Sequence, residues 1–181
     1  MSRIRTLAAA ALATAITFAV TSAAPLAAQS TATASLSVTG KVVNPISLAV
    51  TAPLDFGGMF VGTPKTISPD GTGDGRFNVS GEAGAAISVT LQMPTSVTTT
   101  GGASIPLSNW TYVVGTSSAL TGTTPVSFNP TAGTPISTNL SGTSGVGRVY
   151  FGIGATATPS ASAVNGTYSA TGQITVAYVG M

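Results

Sequence analysis

The sequence predicts an all-β protein, an antiparallel β-sandwich behind a secretory leader. Three observations carry this. Apolar and polar residues alternate with period two in short runs. Gly, Pro, Asn and Ser clusters separate the runs. Beyond the N-terminal stretch, no segment has strong helical periodicity. Roughly eight strands at this spacing describe a sandwich.

The elements follow in order. Arg3 and Arg5 precede an uncharged, mostly apolar run from Leu7 to Val20, and small residues lead to Pro25-Leu26-Ala27-Ala28. A positive start, an apolar middle and a small-residue exit form a signal peptide, residues 1–28, with cleavage expected after Ala28. Cleavage after Ala24 would leave Pro25 at the new terminus. An uncleaved anchor needs roughly 20 apolar residues, more than this run offers. Residues 29–181 then form one domain, large enough to bury a core. Its first run places small or apolar residues at Ala32, Ala34, Leu36, Val38, Gly40 and Val42. Asn44-Pro45 interrupts the run, and Ile46, Leu48 and Val50 resume the same phase. Leu54-Asp55-Phe56-Gly57 reads as a turn, and Met59-Phe60-Val61 as a short continuation. Residues 62–76 read as a Gly/Pro/Asp loop. Further strands are expected at Phe77–Val79, Ala86–Leu91, Trp110–Val114, Val126–Phe128, Arg148–Ile153 and Tyr168–Val179.

Composition excludes several functions. The chain has no Cys and no His. Without Cys, the secreted domain depends on burial rather than disulfides for stability. The chain carries six Lys and Arg against four Asp and Glu. Removing Arg3 and Arg5 with the leader leaves four against four, a net charge of zero. Four scattered cations do not build the basic patch that nucleic acid requires. No later segment could span a membrane as a helix once the leader is gone. A molecule of so little charge repels its own copies weakly, which suits assembly.

Several motifs occur in a telling order: Ser37-Val38-Thr39-Gly40-Lys41-Val42-Val43, Leu54-Asp55-Phe56-Gly57, Phe77-Asn78-Val79-Ser80-Gly81-Glu82, Ile87-Ser88-Val89-Thr90-Leu91, Gly166-Thr167-Tyr168-Ser169, and Ile174-Thr175-Val176-Ala177-Tyr178. In that order they resemble a bacterial secreted domain family of unknown function. That family is similar to spore coat protein U and, more distantly, to chaperone–usher pilins. The resemblance covers nearly all of residues 29–181. It implies an immunoglobulin-like sandwich that lacks its last strand and is completed by a neighbour's N-terminal extension. Residues 29–38 would be that extension, with Ala32, Ala34, Leu36 and Val38 as donor side chains. The run from Val38 to Val42 would open the sandwich body, so the two assignments overlap at Val38. Where many pilins carry a Cys after the first strand, this chain has Pro45-Ile46-Ser47. The resemblance also implies a periplasmic chaperone and an outer-membrane usher as partners. The chaperone would contact Ile174, Val176, Tyr178 and the carboxylate of Met181. The protein would be secreted, passing through the periplasm to the cell surface or beyond.

Catalytic, metal and sugar readings compete with this one. With four carboxylates, two Lys and no His or Cys, no group of residues meets the requirements of acid–base chemistry, so no catalytic residue and no cofactor are expected. Asp70, Thr72, Asp74 and Gly75 match part of a calcium loop, but position 12 is Gly81 and Glu82 falls one residue late. A polar hairpin loop is the simpler account, and no metal is expected. Trp110 and Tyr112 share one face of a strand. If exposed they could stack on a sugar, but large aromatics ordinarily fill a core. The sequons at Asn78, Asn109, Asn139 and Asn165 arise from Ser/Thr richness and are assigned no role. The chain is therefore expected to be a structural subunit that assembles by strand exchange. The alternative is a self-complete, monomeric sandwich that binds a glycan or a surface protein.

Overall fold

The computed structural model describes residues 32–180. Residues 1–31, which include the expected leader, and Met181 lie outside them. Residues 32–39 belong to one unit and the chain from Gly40 onward to another. Among the described residues of the first unit no strand forms, and Ala32, Ala34, Leu36 and Val38 are exposed.

The second unit is all-β. Its described residues form β1 (Ser47–Ala52), β2 (Lys65–Ile67), β3 (Gly75–Glu82), β4 (Ala86–Gln92), β5 (Ser96–Thr98), β6 (Ser104–Gly115), β7 (Val126–Ser127), β8 (Pro135–Asn139), β9 (Val146–Ala157) and β10 (Gln173–Tyr178). Every pairing is antiparallel. One sheet runs β1-β3-β9-β6-β5, with β2 added on β9 and β7 on β6. The other runs β10-β4-β8. No helix among the described residues is long and apolar enough to cross a membrane.

Both sheets contribute to one core, giving a sandwich-like arrangement. Alternation explains which residues enter it. Phe77 and Val79 of β3, Ile87, Val89 and Leu91 of β4, and Val149, Phe151 and Ile153 of β9 are all buried at every second position. Phe77 and Phe151 are direct cross-strand partners, and their rings stack 4.6 Å apart. In β6 the phase switches. Ile105 and Leu107 face the core first, and then a register shift between Ser108 and Thr111, with Asn109 at φ 49°, turns Trp110 inward. Trp110, Tyr112 and Val114 then share the core side, and Phe128 packs against both Trp110 and Tyr112.

The structure corrects several boundaries. The expected strand over Val38–Val42 does not form. Ser47 faces Ser80, two residues before β3 ends at Glu82, so the preceding residues have no ladder to join. Met59–Val61 is loop. The expected loop 62–76 contains β2, whose Thr66 lies opposite Thr156 with the two hydroxyls 2.9 Å apart. The final run is shorter than expected, because Gly172 packs directly on Met93 and only Ser169 upstream makes a bridge, to Thr98. Strands β5 and β8 are additions. The first has three residues, and the second begins at Pro135 on a sheet edge, where a missing N–H is tolerated.

Candidate functional site: an open groove between β1 and β10

The two strands at one side of the molecule are each half-paired. Among the described residues β1 pairs only with β3, and β10 only with β4, so each keeps a free edge. Directly opposed residues in an antiparallel ladder point to the same face. Leu48 and Val50 lie opposite Val79 and Phe77, so all four face inward. Yet Val79 and Phe77 are at most 1% exposed, while Leu48 is 39% and Val50 66% exposed. The same holds on β10. Ile174 and Val176 lie opposite the fully buried Leu91 and Val89, but are themselves only half-buried. Core-facing side chains on both edge strands are therefore left open.

Between them lies a cavity of about 810 Å³, lined among others by Val50, Leu54, Phe56, Phe77, Trp110 and Ile174. Met59 and Met93 also line it, flexible side chains that adapt to what they contact. The buried Trp110 Nε1–H has no acceptor within the described chain. An unmet donor in an apolar surrounding is costly.

The two ends of the groove differ. At one end the segment from residue 158 to 172, between β9 and β10, forms a strap. Gly62 N–H donates to Pro159 O and Ser160 O, at 3.1 and 3.2 Å. Ser169 and Thr98 exchange two backbone bonds of 2.9 and 3.0 Å, and Tyr168 Oη donates to Val164 O at 2.8 Å. At the other end β10 is latched to the residues before β1 and to the end of β3. Tyr178 Oη donates to Asn44 O at 2.7 Å and accepts from Glu82 N–H at 2.7 Å. Tyr178 reaches across Gly81, where a Cβ would collide with its hydroxyl. The carboxylate of Glu82 accepts from both the backbone N–H and the side-chain Nδ2 of Asn44, at 3.1 and 2.9 Å. Asn44 Nδ2 also donates to Gly145 O at 3.0 Å, and Lys41 Nζ lies 3.8 Å from Glu82. The Asn44 backbone bond, helped by the Asn44 amide and Lys41, holds the Glu82 carboxyl below its ordinary range against partial desolvation.

The residues expected from the sequence fall as follows. Ile174, Val176 and Tyr178 lie together on the core-facing side of β10, the first two at the groove and the third in the latch. Ala32, Ala34, Leu36 and Val38 belong to the separate N-terminal unit. Met181 lies outside the described residues. Trp110 is 4% exposed, so it offers no surface to a sugar. In the candidate calcium loop the Arg76 Nε donates to both Asp74 oxygens, at 2.8 and 2.9 Å, and Ser68 Oγ donates to Asp70. Asp55 accepts from the Gly57 N–H at 2.7 Å, the local turn bond expected of it. Sequence reasoning missed the latch. Asn44 read only as a break in the alternation and Glu82 only as a carboxylate one residue late for a calcium loop, and their meeting depends on tertiary pairing.

No protein family, curated protein or solved structure matches this chain in the comparisons made.

Proposed function

We propose that the protein is a secreted structural subunit, of fimbrial or coat type, that assembles by β-strand exchange. One copy's N-terminal segment fills the groove of the next. The observation that carries this reading is the exposure of Leu48, Val50, Ile174 and Val176 on faces whose cross-strand partners are fully buried. A strand laid between β1 and β10 would cover all four and use both free edges.

Strand order supports the same reading. In an immunoglobulin-type sandwich, strands A, B, E and D form one sheet and C, F and G the other. Here β1-β3-β9-β6 corresponds to A-B-E-D, and β4-β10 to C-F. The place of G is beside β10, where the groove opens. The segment with Ala32, Ala34, Leu36 and Val38 at alternate positions, exposed and unpaired, has the pattern such a site accepts. During export a periplasmic chaperone would cover the same edge through Ile174, Val176, Tyr178 and the terminal carboxylate of Met181, and an outer-membrane usher would release the subunit to the surface. The glycan-binding alternative has less support, since Trp110 and Tyr112 pack into the core.

Trp110 is the chain's single tryptophan and lines the groove, so its emission reports occupancy. The mature chain with Leu36→Asp and Val38→Asp is expected to stay folded and monomeric. A peptide of residues 29–43 should bind it saturably and shift the Trp110 emission, and the same peptide with both Asp substitutions should not. An emission unchanged by the wild-type peptide would remove the strand-exchange reading.

A further inference from the structure

We propose that Asn165 is a site of self-modification. The nitrogen of Gly166 attacks its side-chain amide, ammonia is lost, and the backbone rearranges to isoaspartate. The reaction needs no partner and is independent of strand exchange.

Asparagine is a labile residue because the next backbone nitrogen can reach its side-chain carbon. Attack requires that the following residue have an N–H, little bulk and a backbone free to turn. The chain has six Asn, and five of them fail this requirement. Asn44 and Asn129 precede Pro45 and Pro130, which have no N–H. Asn78, Asn109 and Asn139 lie in β3, β6 and β8. The residues after them, Val79, Trp110 and Leu140, are bulky and at most 4% exposed. The Leu140 N–H also donates to Ala85 O at 2.9 Å. Asn165 alone precedes a glycine, whose missing Cβ leaves its nitrogen accessible and its backbone free.

The structure leaves both reacting groups disengaged. Asn165 and Gly166 form an exposed bend in the strap. The side-chain bonds of the strap join Ser160 to Ser162 and Tyr168 to Val164, and neither holds the Asn165 amide. Among the described residues the Gly166 N–H has no backbone acceptor. The bend is nevertheless anchored close by, where Ser169 and Thr98 exchange their two backbone bonds.

The steps balance without an oxidant or a cofactor. The Gly166 amide gives up its proton, and its nitrogen bonds to Asn165 Cγ. The Cγ–Nδ2 bond breaks, and the nitrogen leaves as ammonia with the proton. The product is a cyclic imide in which the Gly166 nitrogen is held by both carbonyl carbons of residue 165. Water then opens it. Cleavage at Cγ restores the ordinary backbone with aspartate. Cleavage at the main-chain carbonyl routes the backbone through Cβ and Cγ, which is isoaspartate. Asn165 lines the groove together with Trp110, and the strap from 158 to 172 has no charged residue. Either product therefore puts a carboxylate on that rim. Isoaspartate also adds a carbon to the backbone of the turn that Tyr168 closes on Val164 O.

Arg148 is the last basic residue, so trypsin releases residues 149–181 as one peptide, and Asn165 is its only Asn. Folded mature protein is incubated at mildly alkaline pH and digested beside a sample taken at the start. The peptides are weighed by mass spectrometry, with electron-transfer fragmentation to tell isoaspartate from aspartate. The expected result is that the 149–181 peptide loses the mass of ammonia and gains that of water at residue 165. Two isomers should form, isoaspartate the larger, and faster as pH rises, because the attacking nitrogen must lose its proton. The peptide 77–148, which holds Asn78, Asn109, Asn129 and Asn139, should keep its mass in the same incubation. Asn165→Gln and Gly166→Ala both change exposed positions, keep the Trp110 emission and should block the conversion. An unchanged 149–181 peptide would overturn the proposal, and its conversion in urea alone would show that the fold withholds the Gly166 nitrogen. Aspartate without isoaspartate, or equal conversion in Gly166→Ala, would mean direct hydrolysis by water and would overturn it as well.

Discussion

Tyr178 ties β10 to the end of β3 and to the residues that lead into β1. Its one hydroxyl, carried on β10, joins two backbone groups on the far side, as donor to Asn44 before β1 and acceptor from Glu82 at the end of β3. Tyr178→Phe keeps the ring and removes both bonds, leaving a half-buried N–H and carbonyl without partners. The expected loss is about 1–3 kcal/mol of unfolding free energy, measured by urea denaturation of the monomeric arm variant. Glu82 adds a pH dependence to the same latch. Its carboxyl is held below the ordinary range in the folded state, so its contribution is present above the ordinary Glu value, about 4.3, and is lost as pH falls through the lower folded value. Thermal melts of Glu82→Gln should therefore lie below those of the parent at neutral pH and converge with them in strong acid. A gap that stays constant down to strong acid would mean that the charge of Glu82 does not hold the latch. Neither role could be read in the sequence. Asn44, Glu82 and Tyr178 are far apart in the chain, and only the pairing of β1 with β3 and of β10 with β4 brings them together.

Among the elements, alternation revealed β3, β4 and β10 and parts of β6 and β9, because these stretches turn every second side chain toward the core and leave a period-two signal. The short β2 and β5 have too few residues for a period to show, and β8 opens with a proline. The early run from Ala32 to Val42 alternates as well as any strand does, yet it pairs with no strand among the described residues. Periodicity reports what a segment could bury and does not say in which molecule. The same distinction separates two substitutions on paired strands. Leu91→Ala, in the closed part of the core, should cost about 2–5 kcal/mol, as large-to-small changes at buried leucines do. Val50→Asp, on a core-facing but open position, should change the stability of the monomer by no more than about 0.5 kcal/mol and abolish assembly. Urea denaturation and sedimentation velocity together check the pair. A Val50→Asp variant that unfolds would mean that the groove is already filled within one chain.

For the whole molecule, the sequence was informative about class and silent about completeness. The short alternating runs and the turn residues between them pointed to an all-β structure. The open side between β1 and β10 is a property of topology, visible only when each of these strands is found to have one partner among the described residues. The account therefore stands on assembly. The measurement that tests it most directly is a denaturing gel of mature protein taken from its native surface, with unboiled and boiled samples side by side. The account predicts a ladder that collapses to monomer on boiling, since no Cys exists to crosslink the chains. Monomer in both lanes would contradict strand exchange and leave a self-complete sandwich in its place.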